Sequence, residues 1–167
     1  MIRLANINDC SRLAEIHVFT WRHAYRDFIS KEYLINGITV KGREEKWQGY
    51  LSDTNSEDKT YVFEEDLIVK GFMTIGDCRD EDKDSNTFEL HGIYVDPLFQ
   101  RQKIGTKFAN KCIEEAKSLE RKEITLWVFE KNKSSISFYE NIGFKPDGKI
   151  IVKERFNENA VRMKMEL

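Results

Sequence analysis

The 167-residue sequence has no apolar run long enough to cross a bilayer, and Met1 to Cys10 contain no signal-peptide core. A cytoplasmic chain without membrane contacts is expected. Cysteine is scarce. Cys10, Cys78 and Cys112 are odd in number and stand at no metal-ligand spacing, so they are read as reduced thiols and no metal is expected. There is no basic surplus either: 27 Lys and Arg face 29 Asp and Glu, for a formal net charge of −2, which argues against a nucleic-acid partner. Neither the three-glycine loop of a dinucleotide fold nor the Gly-Lys-Ser/Thr of a P-loop is present. No repeat, low-complexity tract or linker divides the chain, so a single domain over residues 1–167 is expected, long enough to bury a real core.

What is present is an alternation of short apolar runs and amphipathic stretches. Ile2 to Ala5 reads as a first strand. Asn8 or Asp9 caps a helix with apolar positions at Leu13, Ile16, Phe19 and Ala24. His17, Trp21 and Tyr25 follow one another at i, i+4 and share one face of that helix, which can pack on a sheet or line a pocket. Phe28 to Gly37 is an irregular turn with a brief helical piece at Lys31 to Leu34. A second helix from about Val40 to Leu51 turns Trp47 and Leu51 inward. Tyr61–Phe63 and Leu67–Ile75 form a hairpin across Glu64-Glu65-Asp66. Residues 76–86 form an exposed loop whose acids are solvated or attract a cationic substrate. Ile124–Phe129 is a strand, Ser134 caps a short helix ending at Gly143, and two β runs, Ile150–Arg155 and Ala160–Glu166, close the chain. The order β–α–α–β–β–β–α–β–α–β–β describes a mixed α/β chain with hairpins and two helix crossovers.

Phe88 to Leu119 carries most of the functional signal. A β-rich run ends at Asp96-Pro97, a basic polar loop leads to Gly105, and an amphipathic helix follows. The first N–H groups of a helix lack internal partners, and its dipole favours negative charge there. Gln100, Arg101 and Lys103 add donors or charge, and Gly105 lets a diphosphate approach the backbone. Taken alone, the loop is equally well an ordinary strand–helix turn with solvated basic residues.

Three motifs in order resolve that choice. Gln100-Arg101-Gln102-Lys103-Ile104-Gly105 is similar to the acyl-CoA loop Gln/Arg-x-x-Gly-x-Gly/Ala of the GCN5-related N-acetyltransferases. The GIYVDPLFQ segment before it resembles that family's central strand. Asn132 through Phe138-Tyr139 to Gly143-Phe144 resembles its Asn-x-x-x-x-x-Phe-Tyr-x-x-x-Gly-Phe signature. The N-terminal helix region is similar to a bacterial branch, so the resemblance covers nearly the whole chain. One departure stands out: Lys103 occupies the place of the family's first loop glycine.

The resemblance implies an α/β (α+β) fold: a mixed, mostly antiparallel central sheet with a splayed parallel strand pair, flanked by helices. It implies transfer of acetyl from acetyl-CoA, as co-substrate, directly to an amine of a small molecule, polyamine-like or other, or of a peptide. The main chain around Ile93, Tyr94 and Val95 would hold pantetheine, and an N–H there would polarise the thioester carbonyl. Residues Gln100, Arg101, Gln102, Lys103, Ile104, Gly105 and Thr106 would hold the pyrophosphate. Asn132 would either bind the CoA arm or serve as a turn residue. Tyr139 would be the acid that protonates the leaving thiolate, as well as a CoA contact. Glu89, His91 or a water chain would be the base, and burial would raise the Glu89 pKa. His17, Trp21, Tyr25 and His91 would border the acceptor, with Trp21 and Tyr25 offering a cation–π surface. Homodimers are common in the family. A non-catalytic acyl-CoA-binding regulator on the same fold would need neither Tyr139 nor Glu89.

Overall fold

Period-two and period-3.6 patterning resolves into seven strands and four helices, in the order expected. The computed structural model describes all of residues 1–167. The strands are β1 (Ile2–Leu4), β2 (Lys59–Glu65), β3 (Ile68–Asp77), β4 (Thr87–Val95), β5 (Glu123–Phe129), β6 (Lys145–Lys153) and β7 (Glu158–Glu166). The helices are α1 (Cys10–Ala24), α2 (Val40–Ser52), α3 (Ile104–Ser118) and α4 (Lys133–Ile142). The sheet runs β1-β2-β3-β4-β5-β7-β6 and is mostly antiparallel, with β4–β5 as its parallel pair. The chain forms two compact units, residues 1–74 with 93–108, and residues 75–92 with 109–167.

In the first unit the start of α1 is built differently from the expected cap. Asp9 does stand at the N-cap position of α1, but its side chain makes no cap bond to that helix; instead Asn6 accepts the Asn8 N–H and Asp9 accepts the Asn6 N–H at 2.8 Å, a reciprocal capping box on the 3₁₀ turn that leads into α1. Arg3 grips both Asp9 oxygens at 2.8 and 2.9 Å and reaches Glu64 at 2.6 Å, which ties β1 to that turn. Leu13 and Ile16 of α1 pack with Val62, Val69 and Phe72, and Trp47 and Leu51 of α2 cover the same core. Phe19 instead faces solvent, because the buried stripe of α1 runs through Ile16, His17 and Val18 and leaves that position on the outer side. The expected irregular turn is a π-helical turn at Tyr33–Gly37, and Arg22 donates to the carbonyls of Leu34, Ile35 and Ile38. Two left-handed residues, Asp66 and Leu67, make the β2–β3 turn.

In the second unit β5 pairs with β7 along its whole length, from Glu123↔Glu166 to Phe129↔Ala160. Its parallel pairing with β4 is much shorter, joining Thr87, Phe88 and Glu89 to Glu123, Ile124 and Thr125. Beyond that point β4 changes from buried to half-buried along its length. The turn expected at Asp147-Gly148 lies inside one strand, β6, as an irregularity between Pro146 and Ile150 with Gly148 at φ 91°. Asn132, not Ser134, caps α4 by accepting the Ser135 N–H at 3.2 Å, because the helix begins at Lys133, ahead of the start that a serine cap requires. Gly143 ends it at φ 116°, a conformation natural to glycine.

Candidate active site

Apart from Gln100, the end of β4 is held by partners the motifs did not single out: Arg12, Thr20, Lys70 and Gly71. Asp96 is buried; it accepts the Leu98 N–H at 2.9 Å and Arg12 at 2.6 Å, while its own N–H donates to Lys70 at 3.0 Å. The Val95 carbonyl accepts from the Thr20 hydroxyl and the Gln100 amide, each at 3.3 Å. Gly71 lets β3 close on this strand end: a Cβ there would lie 2.8 Å from the Tyr94 carbonyl oxygen and 3.3 Å from the Val95 Cα. Together these contacts anchor the strand that leads into the loop.

In the loop, Arg101 and Lys103 both adopt left-handed backbone, at φ 65° and 60°. Left-handed residues alternating with ordinary ones turn successive N–H groups toward one concavity, which suits an anion. Lys103 therefore occupies a conformation that normally favours glycine, and the loop retains its path at some cost in backbone strain. Gln100, Arg101, Gln102, Lys103 and Thr106 are exposed, Gly105 is half-buried, and Ile104 is buried as an anchor for α3. The Lys103 carbonyl accepts the Lys107 N–H at 3.0 Å, the first turn of that helix.

Glu89 and His91 point to one face of β4, as the alternation predicts. Glu89 Oε1 lies 3.2 Å from His91 Nδ1, and Oε2 accepts the Arg79 N–H at 3.0 Å. The expectation of a raised Glu89 pKa is overturned. Burial does push the carboxyl up, but His91 and the Arg79 N–H outweigh it, and Glu89 lies below the usual glutamate value. Glu89 is thus a carboxylate at neutral pH. In the same unit Tyr139 is buried on α4, edge-on to Phe144 at 5.8 Å and to Phe138 at 5.2 Å. The Asn132 side-chain oxygen is spent on the helix cap, so its amide nitrogen is the end that can address a ligand.

The α1 stripe divides. His17 is buried and stacked on Tyr94 at 4.7 Å and Trp21 at 5.8 Å, so it packs the helix on the sheet, and neither ring nitrogen has a hydrogen-bond partner. Burial, with Arg43 and Lys46 adding to it, pushes the imidazole down to about 3. Burial raises the Tyr94 phenol, and the Trp21 indole beside it lowers it in part. Tyr25 meets Trp21 edge-on at 4.9 Å. The cation–π face of Trp21 is already covered by Arg43, 5.9 Å from the ring centre.

The acids of the 76–86 loop are largely spoken for. Asp77 pairs with Arg121 at 2.6 Å, and Asp80 and Asp82 pair with Arg162. Lys149 also reaches Asp82, which lies well below the usual carboxylate range because of Arg162 and Lys149. Nothing in the loop's local sequence shows these partners, since they lie far along the chain.

No helix is long and apolar enough to cross a membrane, and no group of three or more His, Cys, Asp or Glu residues could hold a metal. The profile of the Acetyltransferase (GNAT) family matches residues 21–144. An uncharacterised N-acetyltransferase of Methanocaldococcus jannaschii is 34% identical over 124 residues, 73% of this chain and 52% of the relative, so the chain spans about half that relative's length. The spermidine N(1)-acetyltransferase of Thermoplasma acidophilum is 27% identical over 166 residues, 95% of this chain and 98% of the relative. Among solved structures, the PaiA N-acetyltransferase of Thermoplasma acidophilum in complex with coenzyme A superposes with a TM-score of 0.79 at 24% identity, covering 100% of this chain and 98% of that one. The family profile takes in most of the sequence, including the strand, the loop and the Phe-Tyr helix described above, and the chain belongs to the GNAT family of acetyltransferases.

Proposed function

We propose that residues 1–167 act as one N-acetyltransferase domain that moves the acetyl group of acetyl-CoA directly to an amine. The observation that carries this reading is the short parallel pair, which ends at Glu89 and Thr125 while β4 runs on to Val95 and into a loop shaped for an anion. A strand that parts from its neighbour exposes main chain that an amide-bearing pantetheine arm can pair with. The donor set fits the rest of CoA: backbone N–H groups from Arg101 to Thr106 for the pyrophosphate, basic side chains around them, and the Asn132 amide for the arm. Acetyl-CoA, when bound, supplies the acetyl group as a thioester. Three free thiols, Cys10, Cys78 and Cys112, suit a reducing cytoplasm.

The chain's residues divide the chemistry as follows. Main-chain N–H near Ile93 and Val95 polarises the thioester carbonyl and holds the developing oxyanion. The Glu89–His91 pair takes the ammonium proton of the acceptor, directly or through water, so that the neutral amine can attack. When the carbon–sulfur bond breaks, the Tyr139 phenol gives its proton to the departing thiolate. The nitrogen sheds a second proton as the amide forms; that proton restores the Tyr139 phenol, and the one taken by the Glu89–His91 pair passes to solvent.

The acceptor is a primary amine, a reading supported by the spermidine-acetylating relative. The chain's own charges favour a polycation less, because Arg162, Lys149 and Arg121 answer the loop acids and Arg43 covers Trp21. The test is an amine library incubated with acetyl-CoA and read as released CoA thiol, run beside Tyr139→Phe. The expected outcome is turnover by the wild type and a loss of about a hundredfold in kcat in the variant, with CoA binding retained. Wild-type kcat in Tyr139→Phe would remove the phenol from the role of acid.

A further inference from the structure

Arg162 on β7 is buried to 4% exposure, yet it serves three carboxylates. Nε donates to Asp147 at 2.6 Å, Nη1 to Asp80 at 2.9 Å and to Asp82 at 2.8 Å, and Nη2 to Asp82 at 2.8 Å. The Trp127 indole N–H meets both Asp80 oxygens at 3.2 Å. One carboxylate is enough to neutralise a guanidinium, and Asp147 already provides it from the neighbouring strand. The other two come from the loop after β3, and Asp80 directly follows Arg79. The Arg79 N–H is the group that holds Glu89 Oε2 at 3.0 Å, while Glu89 Oε1 faces His91. A single backbone step therefore separates the buried clasp from the carboxylate pair. Loops of this kind are mobile unless tied down, and a hydrogen bond to a carboxylate weakens steeply with misalignment.

We propose that Arg162 is a positioning residue for the Glu89–His91 pair: by holding Asp80 it keeps the Arg79 N–H on Glu89 Oε2 and so fixes the direction in which Oε1 faces His91. This rests on the reading of that pair as the base. The titratable and charged groups around Glu89 are His91 on its own strand, Arg79 on the loop, and the Cys78 thiol, which Glu89 helps to push up. Hydrogen bonds to the ionised form lower a carboxyl pKa, so loosening Arg79 moves Glu89 upward. Direct Coulomb effects run the other way or vanish. Asp80→Asn removes a nearby negative charge, which by itself lowers the Glu89 value, and Arg162→Lys leaves the charge unchanged. A rise in either variant therefore reports lost geometry.

The experiment follows the ¹³C carboxyl titration of Glu89 in the full chain, assigned by Glu89→Gln, together with amide hydrogen exchange at Arg79. In Asp80→Asn, where Arg162 keeps Asp82 and Asp147 and the fold is spared, the Glu89 midpoint should rise by about half a unit to one unit. Exchange at Arg79 should quicken by about tenfold. Arg162→Lys should show the same sign. An unmoved or lowered Glu89 midpoint in folded Asp80→Asn overturns the proposal. The base reading fails separately: full acetyl transfer by Glu89→Gln would take Glu89 out of the chemistry whatever the titration shows.

Discussion

His17 makes the stability of this fold fall as pH drops below the ordinary imidazole value. The imidazole lies between Trp21 and Tyr94 with 8% of its surface exposed and no hydrogen bond to either nitrogen. Burial first, then the charges of Arg43 and Lys46, bring it from 6.5 to about 3. The unfolded chain therefore takes up a proton below about pH 6.5, whereas the folded chain resists doing so until about pH 3. Stability is complete above the first value and is lost as pH falls toward the second, at about 1.4 kcal/mol per unit. At pH 5 the loss through this one side chain is about 2 kcal/mol, a large part of the roughly 5–15 kcal/mol that holds a domain together. His17→Phe keeps a ring in the stack and removes the proton site. Urea midpoints at pH 7, 6 and 5 should show the wild type falling by roughly 1 M more than the variant. Parallel curves, or an imidazole that titrates near its ordinary value by NMR, would refute the reasoning.

Two further substitutions test the backbone around the loop. Lys103→Gly relieves a left-handed lysine at the cost of a more flexible unfolded chain, for a net gain of about 0.5 kcal/mol in thermal unfolding. CoA affinity by calorimetry should be unchanged, because the main chain is retained; a tenfold loss would show that the ammonium group is the true contact. Gly71→Ala places a methyl against the backbone of Tyr94 and Val95, which cannot swing aside, and should cost about 2 kcal/mol in urea unfolding. An unshifted midpoint would mean that the strand end adapts freely.

The seven strands and four helices were legible from their apolar periods and from stops such as Gly143 after α4, whereas the cap of α4 and the Asp147-Gly148 turn were misplaced because neighbouring polar residues could serve equally well. The loop was legible as a motif, but its conformation was not, since a lysine gives no sign that it will sit at φ 60°. The pairing of Glu89 with His91 followed from strand alternation. The direction of the Glu89 pKa did not, because burial and hydrogen bonding oppose each other and the deciding N–H belongs to Arg79, in a loop with no motif. The acidic loop misled for a similar reason. Its charge is a local property of sequence, whereas Arg162 and Arg121, which answer it, are brought there only by the fold. Trp21 and Tyr25 do meet ring to ring, although Tyr25 is the C-cap just beyond α1 rather than part of its face, and the guanidinium that covers the indole comes from α2.

The three-residue pairing of β4 with β5 has a consequence for how the protein is kept from sticking to its own kind. A sheet ordinarily guards its two outer strands, and here the parallel ladder between two inner strands also stops, at Glu89 and Thr125; main chain past the end of a ladder behaves like an outer edge. On the proposed function, the pantetheine amides of acetyl-CoA would act as a guard there, and by mass action the cofactor's concentration would add to the stability of the fold. Depletion of that ligand leaves the sheet as an incomplete template. On that proposal, scarcity of acetyl-CoA and a tendency to aggregate would be two readings of one equilibrium.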